Sequence, residues 1–476
     1  MKTTKPSACG LLVIALASSV LAQSPGRGQF ADRLADLIEE ESRPQPVALE
    51  HLAPLTDADF FGYPERVHLG RLLFHDKILS GNMNIACATC HHSLTGTTDW
   101  LSLSIGEGGF GLGPARDTGF GPTLIPERVP RNAPAVFNLG ALQIDRMFHD
   151  GRVQVDPAQP SGFLNPAGDA LPVGFEHVLE VQAMFPVTAG TEMAGQAGEN
   201  TIADAAALNN LAGPGGVWEQ LADRLRAIPE YVDLFIEAFD DIDDASDITY
   251  AHAAKAIGSF EAIAWRFDDS PFDRVLRGDD RAMSRAARRG MNLFYGRAGC
   301  ADCHAGVLQT DQEFHSIGMP QIGPGKGDNI FGFADGLDDF GRERVTGDGK
   351  QRYRFRTPTL RNVALTGPWG HDGAYNTLEG VVRHHLNPYE ALENYDTSQA
   401  VLPAAAGITD DFLCHNDPAR RAEIMASVDL AVPLNVSDDD LADLLAFLES
   451  LTDFRAVTHL RDDVPNTVPS GLPVGD

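Results

Sequence analysis

The sequence predicts a mostly α-helical protein of two similar domains with long irregular loops. Two observations carry this expectation. Apolar residues recur at helical spacing along most of the chain, and persistent strand alternation is scarce. In addition, a helix, a Cys-x-x-Cys-His run, irregular loops and a further helix follow one another twice. At 476 residues the chain is long enough for two or three domains.

Residues 1–22 read as a secretory signal peptide. Lys2 and Lys5 give a positive start, Leu11 to Leu21 a short apolar run, and Val20-Leu21-Ala22 small residues at the cleavage positions. That run is too short to cross a membrane, and no later stretch reaches the required length. The expected product is exported to the periplasm without a membrane span.

The first domain is expected over 23–272 and the second over 273–476, dividing near Ser270 to Asp280. Arg66 to Phe74 reads as an amphipathic helix feeding the first Cys-x-x-Cys-His run. Ala251 to Phe267 is another. Met283 to Phe294 leads into the second run, and Leu378 to Leu386 follows later. Ser437-Asp-Asp-Asp440 signals a capped helix start, with Leu441, Leu444, Leu445, Leu448 and Leu451 as its buried stripe. The Gly- and Pro-rich stretches Ser104 to Pro130 and Asp156 to Gly174 are expected as functional loops rather than linkers.

Cys87-Ala88-Thr89-Cys90-His91 and Cys300-Ala301-Asp302-Cys303-His304 each read as a covalent c-type haem attachment site. The two thiols form thioethers to the macrocycle, and the histidine binds iron from one side. A redox dithiol does not need the following histidine. A structural zinc site usually needs its second Cys or His pair at short spacing. Here the motifs lie 213 residues apart, Cys87 to Cys300. Haem attachment outside the cytoplasm also agrees with the signal peptide.

Of six cysteines, Cys9 leaves with the signal and Cys414 remains as a buried or free thiol, so a disulfide framework is excluded. A net charge of −30 argues against nucleic acid and anionic membranes as partners. It suits a basic redox partner such as a small cationic cytochrome, although solubility explains an acidic surface equally well.

Further runs carry a resemblance. They are Arg131-Asn132-Ala133-Pro134, Phe148-His149-Asp150-Gly151-Arg152, Thr357 to Thr366, and His371-Asp372-Gly373. Their order, from about Pro64 to Asp453, resembles the bacterial di-haem cytochrome c peroxidases and their relative MauG, which oxidises a partner protein. The resemblance makes the haem of His91 the peroxidatic one. It makes Glu192 the distal glutamate and Gln182 the distal glutamine, with the family spacing of ten kept. Without it, Glu192 would read as a solvated carboxylate. The resemblance also implies a calcium ion held by Asn132, Thr366 and Pro368, although turn packing explains these residues almost as well.

Three departures from the family pattern matter. Ser104-Ile105-Gly106-Glu107 carries a glutamate where the family has an iron-capping histidine, which predicts an open iron at His91 unless His92 or His177 caps it. The position fourteen residues beyond His371, usually methionine, is His385, with His384 beside it. A haem ligated by His304 and His385 is expected, and adjacent helical residues do not share a face. Third, His149 replaces the tryptophan between the haems, and Trp369 could supply a substitute ring for electron transfer.

Three functions compete. The leading one is a hydrogen peroxide reductase drawing electrons from a small cytochrome c or cupredoxin. The second is a MauG-like oxidase acting on Tyr or Trp of a partner protein. The third is a plain two-haem electron carrier. Family members are often dimers, so a homodimer is possible.

Overall fold

The computed structural model describes residues 52–326, 335–430 and 434–475. The expected signal peptide, 1–22, lies outside the described residues. Among the described residues, no helix is long and apolar enough to cross a membrane.

Two helix pairs organise the chain, and each pair crosses at a glycine. Helix Val67–His75 packs along Tyr250–Ala264. A Cβ on Gly70 would stand 1.9 Å from the Ala256 carbonyl oxygen, so only glycine lets the backbones meet. Helix Arg285–Phe294 packs along Asp438–Glu449 in the same way. A Cβ on Gly290 would stand 1.8 Å from the Asp443 carbonyl oxygen. In each pair the first helix is the last α-helix before a Cys-x-x-Cys-His turn.

The expected helices are present, with ends set by capping. Met283 and Ser284 stay outside the third helix because the Ser284 hydroxyl accepts the Ala287 N–H at 3.1 Å. The second helix runs from Tyr250 to Ala264 rather than from Ala251 to Phe267. The Ser437 cap forms as read: its hydroxyl accepts the Asp440 N–H, and Asp440 accepts the Ser437 N–H, both at 3.1 Å. In that helix Phe447 is buried and Leu445 is only partly so, which corrects the expected stripe.

Strands are few and short. Arg146–Met147, Val153–Val155 and Phe163–Leu164 form an antiparallel sheet, with Met147 opposite Val153 and Val155 opposite Phe163. The stretch Asp156 to Gly174 is therefore not wholly irregular. Phe314–His315 pairs with Phe355–Arg356.

Aromatic rings fill both cores. Trp265 meets Phe74 and Phe260 edge-on, each at 5.0 Å between centres. Phe447 meets Phe272 at 5.8 Å and Phe294 at 5.0 Å. Buried Arg361, from the Thr357 to Thr366 run, pairs with Asp273 at 2.6 Å. The chain's last residues return to the first core, where Ala456, Leu460 and Val468 are buried.

Candidate functional site

Each Cys-x-x-Cys-His run forms one tight turn. The His91 N–H donates to the Cys87 carbonyl at 3.0 Å, and the His304 N–H to the Cys300 carbonyl at 2.9 Å. The side chains repeat one pattern. His91 donates Nδ1–H to the Thr97 carbonyl at 3.1 Å, and His304 donates to the Gln309 carbonyl at 3.0 Å. Both acceptor residues are left-handed, with φ of 60° and 50°. Such a bond fixes the tautomer and leaves Nε2 to face a metal. Burial lowers both imidazole pKa values, that of His304 to about 4, which favours the neutral, ligating form.

The thiols argue against dithiol chemistry. Burial pushes Cys87 and Cys300 up to about 12, opposite to the lowering a reactive thiolate needs. All four motif cysteines are free and partly accessible. Cys87, Cys90 and Cys300, strongly desolvated yet partly accessible, are what the wall of an internal cleft presents, and a covalently held haem fits there.

At the second motif a further histidine faces the first. The rings of His304 and His385 lie 6.3 Å apart between centres, tilted by 53°. His385 donates Nδ1–H to the Val381 carbonyl at 2.8 Å. A metal ion between two imidazoles, at bonds of about 2 Å each, sets the ring centres about 6 Å apart. Neighbouring His384 is fully buried and uses both nitrogens, accepting from the Tyr375 hydroxyl and donating to the Ile317 carbonyl, each at 2.8 Å.

The region by the first motif is different. Glu192 sits in the π-helical turn Gly190–Ala194, partly buried, and close enough to Cys90 to add its charge to what burial and Asp99 do to that thiol. Gln182 closes the short helix Val178–Gln182 and is also partly buried. Glu107 is buried, and its Oε1 accepts from the side-chain amides of Asn82 at 2.7 Å and Asn84 at 2.6 Å. His177 uses both nitrogens, accepting the Leu179 N–H and donating to the Ala141 carbonyl, while its ring stacks on Phe61. The ring of His92 accepts the Leu94 N–H.

A buried polar network centres on Arg131. Arg131 grips Asp339 with two bonds, at 2.6 and 2.8 Å, and Asp150 with one at 2.7 Å. Burial alone would raise both carboxyls, but the guanidinium outweighs it and holds them well below the usual range. The Asp339 N–H donates to Gln321 Oε1 at 2.9 Å, and Gln321 Nε2 donates to His371 at 3.2 Å. His371 stacks on Phe355 at 3.7 Å. His149 donates to the Asn132 carbonyl at 3.2 Å, and burial lowers its pKa to about 4. Trp369 donates Nε1–H to the Val363 carbonyl at 3.1 Å.

At the expected calcium ligands, the side-chain donors are engaged within the protein. The Asn132 amide donates to the Leu101 and Ser102 carbonyls, and the Thr366 hydroxyl to the Val363 carbonyl. Sequence reasoning missed Asn82, Asn84 and Gln321, whose roles arise from loop contacts without a local pattern. Cys414 is buried and donates to Asp338 at 3.4 Å.

Fold and site together define a redox protein built round two haems. Residues 64–281 match the family model described as di-haem cytochrome c peroxidase. The methylamine utilization protein MauG of Methylorubrum extorquens is 31% identical over 359 residues, covering 74% of this chain and 75% of that protein. The cytochrome c peroxidase Ccp of Escherichia coli is 29% identical, covering 73% of this chain and 60% of its own length. The crystal structure of a MauG-like protein associated with microbial copper homeostasis superposes with a TM-score of 0.54 at 26% identity, covering 87% of this chain and 96% of the other. The chain belongs to the di-haem cytochrome c peroxidase family and is an oxidoreductase.

Proposed function

We propose that the chain is a periplasmic peroxidase that reduces hydrogen peroxide to water with electrons from a small cytochrome c or cupredoxin. The observation that carries this reading is asymmetry. His304 is opposed by His385. Of the groups that could cap the iron at His91, Glu107 is tied to two asparagines and His177 uses both nitrogens. That supports one iron closed by two imidazoles and one open to peroxide.

Bound haem supplies the redox centre that passes electrons to the O–O bond. The side chains handle protons and position. Glu192 takes the proton from the inner peroxide oxygen and returns it to the outer one, first as base and then as acid. Gln182 offers an amide to hold the peroxide. Two electrons and two further protons complete the conversion of one peroxide to two waters. The Thr97 and Gln309 carbonyls keep the two proximal imidazoles oriented. Direct transfer between the haems would pass near His149 and Trp369. The calcium expected at Asn132, Thr366 and Pro368 rests on the resemblance alone.

The test is peroxide turnover by Glu192→Gln with reduced cytochrome c. A fall of about a hundredfold or more is expected for loss of a general acid–base. Near-normal turnover removes Glu192 from the mechanism. A second reading, oxidation of Tyr or Trp on a partner protein, is favoured by the glutamate at 107 and the histidine at 385. Rapid steady-state turnover with reduced cytochrome c selects the peroxidase. Slow turnover with a long-lived oxidised state selects the oxidase. A plain electron carrier would show two low-spin irons unchanged by cyanide.

A further inference from the structure

We propose that Glu107 is a positioning residue whose carboxylate clasps together the two chain segments that hold the Glu192 turn. The proposal rests on the reading of Glu192 as the proton-handling group.

The turn Gly190–Ala194 is gripped on both sides of Glu192. On one side the Glu107 N–H donates to the Thr191 carbonyl at 3.3 Å, and the Gly81 N–H donates to the Met193 carbonyl at 2.7 Å on the other. Both approaches require glycine. A Cβ on Gly106 would stand 1.9 Å from the Thr191 carbonyl oxygen, and one on Gly81 1.9 Å from the Ala194 carbonyl oxygen. Residues 80–84 and 104–107 therefore act as two straps lying directly on the turn.

Each strap has its own anchor. Arg224 donates to the Ser80 carbonyl at 2.6 Å and the Gly81 carbonyl at 2.9 Å. Arg116 donates to the Ile105 carbonyl at 2.7 Å and the Gly106 carbonyl at 2.8 Å. Glu107 joins the straps, because its Oε1 receives Asn82 from the first at 2.7 Å and Asn84 at 2.6 Å. Bonds to a charged acceptor in a buried site are short and strong. Asn82 also donates to Glu199 at 2.9 Å. Asn200 donates to Asn82 at 2.9 Å and to the Ala194 carbonyl at 3.1 Å, closing the far end of the turn.

The π-type turn closes through the Ala194 N–H to the Ala189 carbonyl at 2.9 Å, and the straps hold it from outside. Without Glu107 the straps part, the Glu192 carboxylate loses its fixed aim, and proton transfer slows. The position that the family resemblance assigns to a ligand would here hold the open pocket in shape instead.

The experiment follows cyanide binding to the ferric, haem-loaded protein by stopped flow, with electron paramagnetic resonance to check that the high-spin signal persists. Cyanide arrives as HCN and must lose a proton, so its rate reads the aim of Glu192. Glu192→Gln is expected to slow binding about tenfold or more, Glu107→Ala by a similar factor, and the double variant no more than the slower single. Glu107→Gln keeps a carbonyl for both amides and is expected within about threefold of wild type. If Glu107→Ala does not take up haem, Asn84→Ala removes one clasp bond and is expected to slow binding about threefold.

A slowed Glu192→Gln beside an unchanged Glu107→Ala overturns the clasp alone. Effects that multiply in the double variant overturn it too, as does a Glu107→Gln as slow as Glu107→Ala. A wild-type rate in Glu192→Gln overturns the reading of Glu192 and the clasp with it.

Discussion

The imidazoles of His304 and His385 face each other with ring centres 6.3 Å apart, and each is braced through Nδ1 by a backbone carbonyl. The two rings come from segments far apart in sequence, so their meeting is a product of the fold. Methionine ligation raises a haem potential relative to histidine. His385→Met should therefore raise the potential of one haem by on the order of 0.1 V, within the wide range axial ligands control. His385→Ala should turn that haem from low to high spin. His384→Phe should leave its spin state alone and lower stability, because it removes the Tyr375 and Ile317 bonds. Redox titration and electron paramagnetic resonance read all three, and a spin change in His384→Phe would reverse the assignment.

Arg131 pairs with two buried carboxylates, Asp150 and Asp339, at 2.7 and 2.6 Å. Arg131→Met removes the guanidinium from Asp339 and leaves Asp150 only Arg152, at 3.2 Å. Breaking a buried ion pair by removing one partner costs about 3–5 kcal/mol. Thermal unfolding should show a large loss of stability, and the double variant Asp339→Asn in that background should recover part of it. No recovery would mean that Arg131 acts through packing alone.

The glycine crossings give a matched pair of tests. Gly70→Ala and Gly290→Ala each place a methyl against a backbone carbonyl, at 1.9 and 1.8 Å before any shift. The helices must separate, at a cost of about 1–3 kcal/mol or more for overpacking. Denaturant unfolding of the haem-loaded protein should show both losses. A neutral Gly290→Ala would mean the second helix pair yields without strain.

How much of this was legible depended on range. The haem motifs were, since each is complete within five residues and its chemistry is local. The helices were legible from their spacing, but their ends were fixed by caps such as Ser284. His385 was reached by counting from His371, and the face rule allowed only one of His384 and His385 to be a ligand without choosing between them. The clasp was not legible, because Asn82 and Asn84 meet Glu107 across loops that have no period. Nor was the Arg131 pair with Asp339, which joins positions 208 residues apart. The left-handed Thr97 and Gln309 carried no signal, since neither is a glycine or asparagine. Strand Phe163–Leu164 is two residues long, below any detectable alternation.

Glu261 supplies a pH test. It lies on helix Tyr250–Ala264 at 5% exposure, and burial alone pushes its carboxyl up to about 8 from 4.5. Between those values the folded chain keeps a proton that the unfolded chain has released. The folded state therefore binds more protons, and stability falls as pH rises, by up to about 1.4 kcal/mol per pH unit from this group. The group's contribution is most favourable below pH about 4.5 and is lost as pH passes about 8. Glu261→Gln keeps the shape and removes the charge. It should unfold at nearly the wild-type temperature at pH 5 and at a clearly higher one at pH 8.5, as scanning calorimetry would read. An equal shift at both pH values would show that packing, and not ionisation, sets the role of Glu261.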